Sequence, residues 1–400
     1  MEIKTEVPSH FLCPISMQIM NDPVTIPTGI TYDRDSIERW LFVCKGTTCP
    51  VTNQPLSDPD LTPNHTLHRL IQSWCTINSK KPINKSQIIK LYNEAKKHPQ
   101  KQIHCLRRMS LIVKESDGSK MCVEDSGLCE FLTIVISKEN CCAGVISETF
   151  DQALTVLHHM HCTDFQLRKF VQDSNKLGLF LNALLHVMRS GSVHSRSHAI
   201  TFLKTLVKVM DPAHIVGVTT DLFNLTVRIL KDRASSQQTV KASLQVLVEI
   251  VRWGKNRIKA AESGMVSVFV ELLIDNTDRR VCELILVALE QICRCAEGRA
   301  KLVEHGAGLA TVSKKILRIS HGASDRAVRI LCLVCKYSAS CRVVQEMVEV
   351  GVVSKLCLMI QVDFSERTKE RVKQILTLHS RVWKDASCIP AHLLSSYPSS

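Results

Sequence analysis

Two hydrophobic rhythms divide this chain. From Pro8 to Met20 the apolar residues Phe11, Leu12, Ile15, Ile19 and Met20 follow no single period and Pro14 interrupts any helix, so the segment reads as a loop. Asp22-Pro23 then leads into VTIPTGITYD, two short β-rich runs meeting at Thr28-Gly29, where glycine can take the positive φ that a tight hairpin needs. Asp33 stands at the N-cap of RDSIERWLF, in which Ile37, Trp40 and Leu41 share one helix face. A loop rich in turn residues runs from Cys44 to Pro55. Asn64 caps a second helix striped by Leu67, Leu70, Ile71 and Trp74.

Beyond about residue 120 the pattern becomes repetitive. VEDSGLCEFL, AESGMVSVFVELL, VEHGAGLATVSKKIL and VEVGVVSKLCLMI each close a helix in small and acidic residues, pass a glycine and open a new apolar helix. Gly264 and Gly306 lie 42 residues apart, Gly306 and Gly351 45, with glycine-poor versions near Asn175 and Gly217 and the loosest match over residues 102–260. No such unit can bury its own apolar face, so several must stack into a superhelix with a continuous core and a long inner groove. The expected organisation is a small domain over residues 8–78 and a basic linker with first helices over 79–119. Helical repeats over 120–385 and a disordered tail over 386–400 complete it.

Composition supports the division. Four hundred residues exceed what one core usually spans, and 45% apolar content with only 5% aromatic suits stacked helices better than a β-sandwich. No apolar run is long enough to span a membrane and MEIKTEVPSHF lacks the apolar stretch of a secretory signal, so an intracellular protein is expected, with no membrane insertion. The 18 scattered cysteines then read as reduced thiols. The formal charge of +13 raises nucleic acid or an acidic membrane as partner. Its densest stretch, KKPINKSQIIKLYNEAKKHPQK, has no interleaved aromatics and reads as a solvated linker; no nucleic-acid partner is expected.

Loop, hairpin, helix, loop and helix within roughly 70 residues lie near the lower limit for a domain without a metal or disulfide. A cross-braced zinc domain of that size carries repeated Cys-x-x-Cys pairs. Cys13-Pro-Ile-Ser16 and Cys49-Pro-Val-Thr52 keep the spacing but put a hydroxyl where the second thiolate belongs, and neutral Ser and Thr are poor zinc ligands. Neither metal nor cofactor is expected. Hydroxyls, Asp33, Arg34, Asp35 and Arg39 are the candidates for bracing the two loops by hydrogen bonds and ion pairs. Farther on, the His158–Cys162 run and the Cys332/Cys335 pair have metal-binding or redox residue types, and their helical setting favours packing.

FLCPISMQIMNDPV, GITYDRDSIERWL, CPVTNQPL and LTPNHTLHRLIQSW occur in this order at the spacing of a U-box, which the first domain therefore resembles. The later units resemble armadillo repeats. Together they are similar to plant U-box E3 ubiquitin ligases with armadillo repeats, particularly short members linked to stress and immune signalling. The resemblance implies a mainly α protein: a small α+β U-box, RING-like and zinc-free, then an all-α armadillo-like superhelical solenoid. It also implies that the U-box recruits a ubiquitin-charged conjugating enzyme (E2) and activates its thioester. Ubiquitin then passes directly to a lysine of a protein substrate held on the armadillo groove, or of the ligase itself, with no covalent ligase intermediate. A negative regulatory role in stress or immunity follows by the same resemblance. So does a cytoplasmic, nuclear or membrane-peripheral location, and pairing of the U-box with another copy stays open.

Carried over residue by residue, the E2-docking surface comprises Ile15, Met17, Trp40 and Pro50, an apolar patch of the kind that becomes a binding hot spot. Trp40 also lies on an inward-packing helix face, so core packing is its alternative role. Many members place arginine, where this chain has Asn53, to bridge E2 and ubiquitin; an amide donates hydrogen bonds without the fixed charge, and Asn53 equally suits a turn. Cys13, Val24 and Asp33 take structural positions. Cys44 and Cys49 are poor transfer nucleophiles, since Lys45 is the only adjacent cation and no histidine lies in their loop. A non-enzymatic armadillo adaptor is the rival reading, and the intact anchors favour the ligase.

Overall fold

The hairpin expected around Gly29 forms. In the computed structural model, which describes residues 7–56, 60–77, 85–114, 127–138, 147–160, 162–275 and 278–383, Pro23–Thr25 (β1) pairs antiparallel with Thr31–Asp33 (β2). Val24 lies opposite Tyr32, and Gly29 takes φ +83° in the turn, a backbone that L side chains rarely adopt. Asp33 holds the N-cap position of α1 (Arg34–Glu38) but does not cap it. Its Oδ1 instead accepts the backbone N–H groups of Asn21 at 2.7 Å and Asp22 at 2.9 Å, so the carboxylate braces the entry to the hairpin. The helix also changes winding early: Arg39–Val43 is a π turn, closed by the Cys44 N–H donating to the Arg39 carbonyl at 2.9 Å.

Thr62–Pro63 (β3), absent from the sequence reading, pairs with β1 and gives the order β2-β1-β3. Asn64 then starts α2 (His65–Ile77): its Oδ1 accepts the Leu67 N–H at 3.0 Å while Nδ2 donates to the hydroxyls of Thr25 and Thr31 at 3.3 and 3.4 Å. One amide thus joins the helix to the sheet. Phe11, Cys13, Met20, Val24, Ile26, Tyr32, Ile37, Cys49 and Ile71 form the core, with Trp40 and Trp74 packed at its edge.

The described residues fall into two compact units, one holding those up to Val135 with Ser147–Thr163, the other holding Ile136–Lys138 and those from Asp164 onward. Besides the U-box-like part, the first contains α3 (Lys85–Lys97), α4 (Gln102–Lys114), most of α5 (Leu128–Lys138) and α6 (Glu148–His159). There α4 packs on α3 and α6, and Arg107 forks onto the Glu148 carboxylate with both contacts at 2.8 Å. The boundaries expected at 78/79 and 119/120, the tail at 386–400 and His161 lie outside the described residues.

Among the described residues the second unit repeats a three-helix layer five times. The layers are α7 (Asp164–Val171), α8 (Ser174–Ser190), α9 (Val193–Val207); α10 (Pro212–Val216), α11 (Thr220–Lys231), α12 (Gln237–Ile250); α13 (Gly254–Glu262), α14 (Met265–Asp275), α15 (Arg279–Ile292); α16 (Ala296–Glu304), α17 (Gly308–Lys315), α18 (His321–Tyr337); and α19 (Cys341–Glu349), α20 (Val352–Gln361), α21 (Glu366–Leu378). The third helices lie side by side and pack against the second helices of their own layers. Each third helix is capped by a side-chain oxygen: Ser192, Ser236, Asp278, Ser320 and Ser365, spaced 42 to 45 residues apart. This cap marks the repeat through residues 174–260, where the glycine signal faded. Only Gly264 and Gly351 of the expected second-unit glycines take positive φ.

The cysteines whose side chains are described are free thiols; Cys335 is buried within α18 and Cys332 half-buried beside it. No helix among the described residues is long and apolar enough to cross a membrane, and no three or more metal-binding side chains come together among them.

Candidate functional site

The two Cys-Pro segments fold into the same turn twice. In Cys13–Gln18 the Cys13 N–H donates to the Gln18 carbonyl at 2.7 Å and the Met17 N–H to the Cys13 carbonyl at 2.8 Å. In Cys49–Gln54 the equivalent bonds, Cys49 to Gln54 and Asn53 to Cys49, are both 2.9 Å. An isolated antiparallel bridge flanks each turn, Leu12 with Ile19 and Thr48 with Pro55. Each turn also closes through a non-glycine residue at positive φ, Met17 at +55° and Asn53 at +58°. Backbone of that kind costs about 1 kcal/mol or more and persists where surrounding bonds hold it.

Neighbouring residues of β2 supply that hold. The Asp33 backbone N–H donates to Cys13 Sγ at 3.3 Å, while the Tyr32 hydroxyl meets Cys49 Sγ at 3.1 Å. One contact comes from the backbone and the other from the end of a long side chain, so one strand reaches both loops. Thr28 Oγ1 and the Thr52 N–H donate to the same Cys49 sulfur, each at 3.4 Å. Burial alone would push the Cys49 thiol up, but the hydrogen bonds from Thr28, Thr52 and Tyr32 outweigh it and bring the pKa down to about 6. Tyr32 moves the other way, chiefly through burial. The Cys49 sulfur thus has three hydrogen-bond partners and the Cys13 sulfur one, and neither residue has exposed surface.

Trp40 ties the turn after α1 to the second loop: its indole N–H donates to the Thr48 carbonyl at 2.8 Å. Gly46 lies against that ring so closely that a Cβ there would come 2.4 Å from Nε1, so a larger residue would push the indole aside. Arg34 forks between Asp22 at 2.6 Å and Glu38 at 3.5 Å, bracing the same region from the hairpin side.

On this frame the sequence-predicted residues divide into two sets. Val24 and Cys13 are fully buried, and Asp33 works through its carboxylate and backbone as described. Ile15 is 38% exposed and Met17 71% exposed at the tip of the first loop. Trp40 and Pro50 are half-buried, and Asn53 is exposed. Sequence reading passed over Phe42 and Val43, 63% and 74% exposed on the π turn, and Val51, 51% exposed beside Pro50. In the sequence reading Phe42 ends the helical segment RDSIERWLF with no face assigned to it, and Val43 lies beyond that segment.

Residues 7–80 match the family model of the U-box domain, and residues 85–399 match that of the plant U-box protein ARM repeat region. The chain is 44% identical to E3 ubiquitin-protein ligase PUB23 of Arabidopsis thaliana, over 100% of this chain and 98% of the relative. It is 42% identical to E3 ubiquitin-protein ligase PUB22 of the same plant, over 100% of both. A structure from work on the interaction between cadherin and β-catenin overlays 79% of this chain and 59% of its own at TM-score 0.55, and an engineered protein 85% and 78% at 0.52. Both are 15% identical, so they bear on fold alone. With both family models matched in order and the relatives aligned end to end, this chain belongs to the plant U-box proteins whose U-box is followed by an ARM repeat region.

Proposed function

We propose that this U-box E3 ubiquitin ligase holds a ubiquitin-charged E2 on the surface made by its two Cys-Pro loops and the turn after α1, while the ARM repeats hold the protein to be modified. The observation that carries the reading is the doubled loop: two strained turns, both pinned through β2, present Ile15 and Met17 to solvent with Pro50 and the edge of Trp40. Exposed apolar side chains on a rigid frame lose little entropy on binding. Docking restricts the thioester's orientations and brings a substrate lysine close, which is catalysis by positioning. The ligase supplies no nucleophile in this mechanism: Cys49, though shifted toward thiolate, is sealed in the core. Asn53 is exposed at the rim of the second loop, where its amide can donate to E2 or ubiquitin. Cytoplasmic action in stress or immune signalling belongs to the same reading.

The test is discharge of ubiquitin from a panel of charged E2 enzymes to free lysine. The full-length protein should accelerate discharge with at least one E2, and Ile15→Ala should reduce that acceleration about tenfold while leaving the melting temperature in place. Acceleration by no member of the panel would leave the adaptor reading in possession.

A further inference from the structure

The inner charges of the last three repeats are layered. Glu283 on α15 meets Arg279 at 3.1 Å and Arg280 at 3.6 Å. Glu290, two turns on, meets Arg294 at 3.0 Å and also Arg326 of α18. Asp325 on α18 meets Arg329 at 2.8 Å and Arg371 of α21 at 3.1 Å. Three acids therefore serve six arginines. The acid side chains are 24%, 2% and 20% exposed, whereas Arg279, Arg280 and Arg294 are 72%, 60% and 43% exposed. Arg326, Arg329 and Arg371 are 33%, 34% and 25% exposed, so positive charge lies over negative chiefly at Arg279, Arg280 and Arg294.

This tract has a definite place in the fold. The buried faces of α15, α18 and α21 pack against α14, α17 and α20. On α15 the half-buried Glu283, Val287 and Gln291 recur every fourth residue in line with the exposed Arg280 and Arg294, the one stripe turned away from that packing. Each guanidinium carries five N–H donors, and three carboxylates cannot absorb the donors of six. The excess of positive charge also falls on neighbouring third helices, so an extended chain could engage successive layers.

We propose that this tract receives an extended acidic segment, rich in Asp and Glu, of the protein that the ligase modifies. The proposal deepens the substrate-holding role given to the repeats and rests on that reading. Carboxylates would add to guanidinium groups already oriented by Glu283, Glu290 and Asp325, so little arginine entropy would be lost on binding. Val287 and Leu333, half-buried along the same face, offer apolar contact between the charges.

Fluorescence anisotropy of the full-length protein tests it, using labelled glutamate-rich and lysine-rich peptides of equal length and a single-stranded oligonucleotide. The acidic peptide should bind, weakening as salt rises, and the basic peptide should not. The double variant Arg280→Glu/Arg294→Glu should weaken acidic-peptide binding by about tenfold or more, and Arg280→Gln/Arg294→Gln by less. Circular dichroism melting establishes that each variant is folded, and the glutamine pair decides the matter if the charge-reversed pair is not. Acidic-peptide affinity within about twofold of the unaltered protein in a folded variant would overturn the proposal. So would preferential binding of the oligonucleotide, which would make the tract a nucleic-acid surface. Lysine discharge by the unaltered protein is scored separately: intact discharge with no acidic-peptide binding refutes the tract alone, and failed discharge refutes the ligase reading.

Discussion

The U-box and the repeats of the second unit meet the same need, a buried core with no metal-binding cluster of side chains and no disulfide among the described residues, by opposite means. The U-box relies on single polar groups that each connect distant segments. Asn64 joins helix to sheet, Asp33 holds the hairpin entry, and neighbouring residues of β2 reach one loop each. The repeats restate one layer, with a cap at the start of every third helix and apolar contacts to the next layer. A domain near the lower size limit has no redundancy, so the loss of one bond reaches the whole of it. A solenoid shares its stability among neighbouring interfaces, so damage stays within a layer or two.

Hydrogen exchange across the full-length chain can break this comparison. The largest effect is expected from Glu290→Ala, which leaves Arg294 and Arg326 without their shared acid. We expect a local cost of about 3 kcal/mol, at the low end for a broken buried pair because both arginines reach water. Exchange should rise in α15 and α18 and remain unchanged in the U-box; a rise in both would refute the contrast. Asp33→Ala should come next, at about 2 kcal/mol, since two N–H groups lose a charged acceptor but can turn to solvent. Here exchange should rise throughout the hairpin and both Cys-Pro loops, and protection lost only at Asn21 and Asp22 would show that the U-box is less cooperative than argued. The smallest effect, about 1 kcal/mol, belongs to Ser236→Ala, which removes the acceptor for the Thr239 N–H at 3.2 Å. It should loosen only the first turn of α12 and leave α15 protected.

Much of the site was legible because its parts are local. Thr28-Gly29 announced a hairpin, Asn64 a cap, and the matched Cys-Pro spacings two similar loops. Other features left no local mark. Thr62–Pro63 is too short to show an alternation, and nothing in RDSIERWLF signals the change to π winding at Arg39–Val43. Asp33 carried the right residue type for a cap, but two N–H groups eleven and twelve residues earlier took its carboxylate. In the repeats the glycine cue fades where the capping residues Ser192, Ser236 and Asp278 still recur, because a cap is required at the start of each third helix and a glycine is not.

Apolar periodicity, turn chemistry and capping act over a few residues, so the sequence by itself determined which segments are helix, hairpin or loop, and that layers of similar length must stack. Composition likewise carried the charge of +13 without its location. Arg279, Arg280, Arg294 and Arg329 meet their acids within one helical turn, but the pairings that join separate segments lie farther apart, as between Asp33 and Cys13, 20 residues, or Arg371 and Asp325, 46 residues. Those pairings exist only once packing has brought the segments together. For that reason the docking loops could be named from the chain, whereas the layered arginine tract became visible only in the tertiary structure.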